Sequence, residues 1–131
     1  MPLDYAQRAR ALVGTRFRAQ GRGVGGFDCV GVVLAVFGLA PQSVPRDYRL
    51  RGEHEATARS FLERSFRRVG RTVPVAGDVM LMRVAADQLH LGVRTAAGFV
   101  HAHAGIGRVV ETPGMPDWPL LGIYRIRSRS R

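Results

Sequence analysis

The chain of 131 residues has a single cysteine and neither lysine nor asparagine. One cysteine cannot form a disulfide within the chain, so packing must stabilise the fold, and the Cys29 thiol is either a small buried apolar group or a reactive one. No segment approaches the roughly 20 apolar residues of a membrane span, and the stretch MPLDYAQRAR lacks the apolar core of a signal peptide. We expect one domain over residues 1–131, made in the cytoplasm without a signal peptide and not inserted in a membrane.

All 20 basic residues are arginine, and the formal net charge is +10. This charge favours an anionic partner such as nucleic acid, anionic lipid or an acidic cell-wall polymer. The abundance of Ala, Gly, Val and Arg is also typical of a GC-rich genome, so much of the arginine carries little functional information. No groove-reading motif or pattern of stacking aromatics supports the basic tail RIRSRSR as a nucleic-acid site, so we expect no specific nucleic-acid partner.

Apolar residues recur at helical spacing in three segments, which predicts helices over residues 4–13, 29–37 and 53–69. After residue 77 the apolar period becomes two, and turn segments separate five strand-like runs, namely DVMLMRV, QLHLGVRT, GFVHAHA, RVVET and LGIYRIR. Helices thus precede strands along the chain. This segregation predicts an α+β fold in which a C-terminal antiparallel sheet packs on the N-terminal helices.

Three glycines, Gly21, Gly23 and Gly26, have the G-x-G-x-x-G spacing of a dinucleotide-binding loop. That loop requires a preceding strand, a following helix and an acidic residue about 20 positions on, all within a βαβ unit. Here a helix and an arginine-rich loop come first, and no βαβ alternation follows. We therefore expect no nucleotide cofactor, and we expect the glycines to permit a close backbone approach beside Cys29.

The cysteine lies at a predicted helix start. Asp28 is placed to cap that helix, and Cys29 falls in its first turn, where free N–H groups and the helix dipole favour negative charge. Such a position lowers the pKa of a thiol, and the thiolate is the nucleophile. The sequence therefore predicts a reactive Cys29, provided that a base lies nearby.

Three of the four histidines fall in the strand region. His90 lies on the polar face of one predicted strand, and His101 and His103 share a face of the next, with the short segment TAAG between the two strands. Any odd-sum register places His90 beside His101 or His103 on one face. If that face lies against the start of the cysteine helix, Cys29, His90 and a second histidine form a nucleophile, a base and an orienting residue. The residues themselves do not choose between His101 and His103. His54, on an arginine-rich helix face, is expected to be solvated.

A metal site is an alternative use of the same side chains. His-x-His on a strand, with a third histidine and a cysteine, supplies suitable zinc ligands. A cysteine at a helix start is explained without a metal, so we expect no metal and no other cofactor.

Four segments, in order, resemble one family. LVGTRFRAQGRG resembles a Gly-Thr-x-Tyr-Arg loop, FDCVGVV an Asp-Cys-Ser-Gly helix start, AGDVMLMR a Gly-Asp-Leu-x-x-Phe strand, and HLGVRTAAGFVHA a His-x-Gly-x-Tyr strand followed by Phe-x-His-Ala. These are motifs of the NlpC-type, papain-like cysteine peptidases, which cut peptidoglycan stem peptides. The resemblance covers residues 9 to 112 and implies a papain-like core with the cysteine helix packed on the sheet.

The resemblance implies a role for each matching residue. Cys29 would be the nucleophile, His90 the general base and acid, and His101 the residue that orients His90, in preference to His103. The bond typically cut by the family joins γ-D-glutamyl to a diamino acid, often meso-diaminopimelate. The partner implied is therefore a peptidoglycan stem peptide.

Substrate-binding residues follow from the resemblance and from charge. We expect Asp28, Phe17 and Arg18 to line the substrate site, and the guanidinium of Arg18 or Arg22 to pair with substrate carboxylates. The family's loop tyrosine falls on Phe17, and the serine after its cysteine falls on Val30. Each replacement removes a hydroxyl, and loss of one oxyanion donor can lower a rate on the order of 10²-fold.

Small single-domain members of this type resemble proteins encoded with phage tails or gene-transfer particles. This implies a virion or tail-particle component that acts on the bacterial cell wall in the periplasm, with tail or particle proteins as partners. The alternative from another class is a non-catalytic structural part of a tail assembly that keeps the peptidase fold. The missing hydroxyls favour that alternative, and the intact cysteine and histidines oppose it.

Overall fold

In the described part of the chain, a six-stranded antiparallel sheet carries three helices on one face. The computed structural model describes residues 4–19, 21–23, 26–40, 55–70, 73–85 and 88–127. The helices are α1 (Tyr5–Arg10), α2 (Cys29–Val36) and α3 (Glu55–Ser65). The strands are β1 (Arg22–Gly23), β2 (Gly26–Phe27), β3 (Phe66–Val69), β4 (Val79–Ala85), β5 (Gln88–Arg94), β6 (Gly98–His103), β7 (Arg108–Pro113) and β8 (Leu120–Ile126). The order in the large sheet is β3-β8-β4-β5-β6-β7, and β1 pairs with β2 alone.

The α+β prediction is confirmed, and the five predicted strands are β4 to β8. Alternation along the strands divides the apolar residues between the two faces of the sheet. One face, with Leu81, Leu91 and Val100, packs against the helices in the main core. The other face carries a smaller cluster of Met80, Met82 and Phe99, covered by Trp118 and Leu120. None of the helices in the described part of the chain is long and apolar enough to cross a bilayer.

The predicted third helix is wrong over its last four residues. Helix α3 ends at Ser65, and Phe66–Val69 forms the edge strand β3, with Phe66 opposite Ile126 and Val69 opposite Ile123. Apolar residues three apart suit a helix, but β8 offers backbone hydrogen-bond partners here, and Phe66 is fully buried in the core. Tertiary pairing therefore overrides the helical period. The start of the predicted helix, including His54, lies outside the described residues.

The strand pair β5–β6 has the expected odd-sum register, with Val93 opposite Val100 and Arg94 opposite Phe99. These two pairs are the whole ladder that the structure assigns between the two strands. By contrast, β6 and β7 pair along their full length, from Gly98 opposite Pro113 to His103 opposite Arg108. Strand β5 therefore separates from β6 before it reaches His90, while β6 and β7 stay together.

Close backbone packing holds the glycine-rich loop against the start of α2. The N–H of Asp28 donates to the carbonyl of Gly21 at 3.2 Å, and a Cβ on Gly31 would collide with that same carbonyl oxygen. A Cβ on Gly21 would lie 2.5 Å from the carbonyl oxygen of Gly26. Gly21 and Gly26 thus permit a close backbone approach, as expected, whereas a Cβ on Gly23 would meet no heavy atom within 4 Å.

Substituting Gly31 tests this packing. We expect Gly31→Ala to lower the free energy of unfolding by about 1 to 3 kcal/mol, because the loop backbone must move to admit the methyl group. Urea denaturation followed by circular dichroism measures the change. Gly70→Ala is the matched control, since its Cβ would meet no heavy atom within 4 Å, and it should stay within about 0.5 kcal/mol of wild type. Equal stability of the two variants would contradict the interpretation.

Candidate active site

Cys29 is the first residue of α2, and Asp28 caps the helix. The Asp28 backbone is extended, at φ −102° and ψ −171°, and its carboxylate accepts a 2.7 Å hydrogen bond from the N–H of Gly31. This is the arrangement expected of an aspartate N-cap, which satisfies a helix donor that has no intrahelical partner. The cap fixes the direction in which the helix begins. It therefore also fixes the position of the sulfur.

The electrostatics of Cys29 differ from the sequence prediction. The residue is 8% exposed, and burial, together with the smaller effect of the negative charge of Asp28, raises the pKa of the thiol from 9.0 to about 12. Hydrogen bonds from the backbone of Leu91, Val30 and Cys29 itself oppose the rise without cancelling it. The prediction of a lowered pKa is wrong because desolvation outweighs the helix-start N–H groups. The thiol is neutral at neutral pH until a base removes its proton.

The hydrogen bond from the backbone of Leu91 locates the Cys29 sulfur relative to the sheet. The backbone of Leu91 belongs to the part of β5 that has separated from β6, and Leu91 directly follows His90. The sulfur therefore lies beside the backbone of the strand that carries the predicted base. Among the described residues, no hydrogen bond joins the Cys29 sulfur to a nitrogen of His90.

His90 and His101 form a hydrogen-bonded pair. The Nε2 atom of His90 lies 2.9 Å from Nδ1 of His101, and the two rings meet edge to face, with centroids 5.0 Å apart. On the other side of the second ring, Nε2 of His101 lies 2.8 Å from Oγ1 of Thr112. The structure thus brings together three side chains from β5, β6 and β7 in one chain of hydrogen bonds. Nδ1 of His90 is the nitrogen that this chain leaves for a thiol.

His103 has a different environment. Its Nδ1 accepts a 3.1 Å hydrogen bond from the N–H of Ile106 in the turn after β6. The choice that the residues left open between His101 and His103 is therefore made by geometry: His101 contacts His90. The role of His101 in a reaction stays a prediction.

Burial keeps the paired histidines neutral. Burial, together with the smaller effect of positive charge on neighbouring imidazoles, lowers the pKa of His90 from 6.5 to about 3 and that of His101 from 6.5 to about 4. Trp118 lies edge to face against both rings, with centroid distances of 5.9 Å to each, while Phe99 stacks on His101 at 4.6 Å. At neutral pH both rings are therefore uncharged, and each keeps one nitrogen lone pair.

Thr112 and Trp118 were not identified from the sequence. Thr112 lies near the end of the strand after the His-x-His run, opposite Phe99, so its place beside His101 follows only once the register is known. Trp118 precedes β8 in a segment without periodicity, and no sequence signal places it on the histidines.

The expected substrate-binding residues other than Asp28 lie on the loop before α2. Phe17 is half-buried against the main core, and its N–H donates to the carbonyl of Gly107 at 2.9 Å. Arg18 is exposed, and its N–H donates to the carbonyl of Phe27 at 3.0 Å. The side chain of Arg22 lies outside the described residues. The substrate contacts of Asp28, Phe17 and Arg18 stay predictions.

The zinc alternative requires several ligands to converge on one point. In the described ranges, no group of three or more His, Cys, Asp or Glu side chains could hold a metal ion. The observed contacts among the histidines are hydrogen bonds and ring contacts.

Comparison with known proteins places this fold. No protein-family model matches the sequence, and no curated protein matches it significantly. Among solved structures, 95% of the chain superposes on NlpC1 and NlpC2 from Trichomonas vaginalis, with TM-scores of 0.66 and 0.68 and sequence identities of 15% and 14%. The peptidoglycan hydrolase RipB from Mycobacterium tuberculosis matches over the same share, with a TM-score of 0.58 and 20% identity.

These similarities show an NlpC-type peptidase fold, which confirms the expected fold class. The chain spans only 44% and 46% of the two Trichomonas structures and 64% of RipB.

Removing the tryptophan tests the cause of the lowered histidine pKa values. We expect Trp118→Ala to raise the pKa of His90 from about 3 towards 6.5, because water reaches the ring and stabilises its charged form. NMR titration of the imidazole signals between pH 3 and 8 measures this shift. Trp118→Phe keeps an apolar ring and should stay close to wild type, whereas unchanged titration in Trp118→Ala would count against this cause.

Stability should fall in acid because of the same groups. Above pH 6.5 folded and unfolded chains both hold His90 neutral, but from pH 6.5 down to about 3 the unfolded chain binds a proton that the folded protein excludes. The free energy of unfolding therefore decreases as the pH is lowered, by at most about 1.4 kcal/mol per pH unit for one proton. We expect His90→Gln to lose stability less steeply than wild type in urea denaturation at pH 7, 6, 5 and 4.

His103→Gln is the comparison for the acid experiment, because it removes an imidazole that is not hydrogen-bonded to His90. Its dependence on pH should stay closer to that of wild type. If the stability of His90→Gln fell as steeply with decreasing pH as that of wild type, His90 would not be the group responsible for the acid sensitivity.

Proposed function

We propose that the protein is a cysteine peptidase that hydrolyses peptidoglycan stem peptides. One observation carries the proposal: the Cys29 sulfur, at the start of a capped helix, lies beside the strand backbone next to His90, whose imidazole is held by His101. A nucleophile, a base and an orienting group are the minimum set for acyl transfer by a thiol. The fold adds support, because one of the similar structures is described as a peptidoglycan hydrolase.

The reaction begins with two neutral groups. Burial raises the pKa of Cys29 and lowers that of His90, so the proton moves from sulfur to Nδ1 of His90 as the sulfur attacks the substrate carbonyl, and no ion pair is formed in advance. The contact between sulfur and imidazole is closed when substrate binds, as catalytic hydrogen bonds often tighten in the substrate complex. Sulfur forms a bond to the carbonyl carbon, and the oxygen gains the negative charge.

Donors for that oxygen lie at the start of the helix. The N–H of Gly31 is taken by Asp28, so the donors that can hold the oxyanion are the N–H groups of Cys29 and Val30, which contact the sulfur before the reaction. His90 then gives its proton to the leaving amine as the carbon–nitrogen bond breaks. Water attacks the acyl-enzyme while His90 accepts the water proton, and this proton returns to sulfur as the carbon–sulfur bond breaks.

The bond cut in our proposal joins γ-D-glutamyl to a diamino acid, with Asp28, Phe17 and Arg18 lining the substrate. The net charge of +10 supports an anionic wall polymer as the substrate. Phe17 has no hydroxyl to donate, so the backbone donors of α2 must hold the oxyanion without help from this side chain. We further propose that the protein belongs to a phage tail or gene-transfer particle and reaches the wall from there.

A second candidate function is a structural part of a tail assembly. The observation that favours it is the state of the cysteine: a nearly buried thiol, with a raised pKa and no hydrogen bond to His90 among the described residues, resembles a packed apolar group. The hydrogen-bonded histidine chain favours the peptidase, because a purely structural core has no need for two neutral imidazoles in contact.

Hydrolysis of purified peptidoglycan separates these candidates. We expect wild type to release soluble peptides, resolved by chromatography and mass spectrometry, and Cys29→Ala to release at least about 10³-fold less, because no other group supplies the nucleophile. His103→Ala is the matched control and should keep most of the activity, since His103 does not contact His90 in the hydrogen-bonded chain. Equal release by wild type and Cys29→Ala would contradict the role of Cys29, and no release by wild type that is folded by circular dichroism would favour the structural function.

A further inference from the structure

The end of the histidine chain is a threonine. His101 is 1% exposed, and both of its ring nitrogens are engaged, Nδ1 by His90 and Nε2 by Oγ1 of Thr112. Each neutral imidazole carries one proton, so the state of one ring fixes the state of the next. The hydroxyl can accept from His101 or donate to it.

Only one arrangement lets His90 accept a proton from a thiol. Nδ1 of His90 must carry the lone pair, so its Nε2–H donates to Nδ1 of His101, and the proton of His101 must lie on Nε2, facing Thr112. If Thr112 donated instead, His101 would hold its proton on Nδ1 and donate to His90, whose own proton would then occupy Nδ1. That state of His90 has no site for the thiol proton.

The acceptor that Thr112 provides is needed most when His90 is charged. A protonated His90 has donors on both nitrogens, so His101 must accept through Nδ1 and must carry its proton on Nε2. That N–H is buried, and Oγ1 of Thr112 is the acceptor that the structure provides for it. A buried N–H without an acceptor is strongly disfavoured.

The surrounding structure keeps His101 and Thr112 in place. Strands β6 and β7 pair along their full length, and a Cβ on Gly98 would collide with the carbonyl oxygen of Thr112, so the two backbones lie close together there. Phe99 stacks on the ring of His101 at an interplanar angle of 29°, which holds the plane of that ring. His90 lies on the strand that separates, so the His101–Thr112 unit is the fixed reference that orients it.

We propose that Thr112 is a positioning residue whose hydroxyl accepts a hydrogen bond from Nε2–H of His101 and thereby keeps the lone pair on Nδ1 of His90 available to the Cys29 thiol. This inference rests on the proposed peptidase function. It extends the site by a fourth side chain that touches neither the substrate nor the nucleophile.

Thr112→Val tests the role, because valine has nearly the same shape and lacks the hydroxyl. We expect kcat for peptidoglycan hydrolysis to fall about 10- to 100-fold with KM nearly unchanged, since the lost acceptor matters most when His90 is protonated. Thr112→Ser restores the hydroxyl and should recover kcat to within about threefold of wild type. Equal impairment of the valine and serine variants, or full activity of Thr112→Val, would overturn the proposal.

A second readout does not depend on hydrolysis. The ¹⁵N chemical shifts of the imidazole nitrogens at pH 7 identify which nitrogen carries the proton. We expect Nε2 of His101 and Nε2 of His90 to be protonated in wild type and in Thr112→Ser, and the population with these protons to fall in Thr112→Val. A wild-type His101 protonated on Nδ1, or shifts unchanged in Thr112→Val, would overturn the role of Thr112. A wild type with no hydrolysis would instead refute the proposed function, and the ¹⁵N shifts would still decide the inference.

Discussion

The separation of β5 from β6 is the constraint on which the site depends. Two residue pairs hold these strands together near their connecting turn, and beyond Val93 the strands diverge. The backbone N–H of Leu91 can then meet the cysteine sulfur, while His90 turns its Nε2 to a ring on the neighbouring strand. If the ladder continued along β5, the strand backbone would be engaged by β6 and could not meet the helix start. Full pairing between β6 and β7 supplies the rigidity that the open pair lacks.

Desolvation, more than local charge, decides the protonation state of the reacting groups. It disfavours both the thiolate of Cys29 and the imidazolium of His90, so the neutral forms of the two groups are stabilised together. A site of this kind holds its charge only during the reaction, when the substrate oxygen and the imidazole develop opposite charges at once. Its catalytic power must then come from donors and acceptors that are already in position, because solvent cannot reorganise there.

Local features of the sequence were sufficient to predict most of the elements that carry the site. The cap at Asp28, the helix start at Cys29 and the shared face of His90 and His101 follow from spacing and side-chain chemistry, which act within a few residues. The edge strand that begins at Phe66, the raised pKa of Cys29 and the contacts of Thr112 and Trp118 depend on what other segments place nearby. Periodicity does not carry that information, so they became visible only in the folded chain.

The contact between Gly21 and Gly31 has a consequence for engineering the protein. It locks the loop that precedes the helix onto the turn that bears the nucleophile, so the two form one mechanical unit. Exchanging this loop to alter specificity would need to keep glycine at position 31, which faces the carbonyl of Gly21, and at position 21, where a Cβ would meet the carbonyl oxygens of Gly26 and Arg18. A graft that kept only the cysteine helix would displace the sulfur relative to the sheet, and with it the geometry on which any thiol chemistry relies.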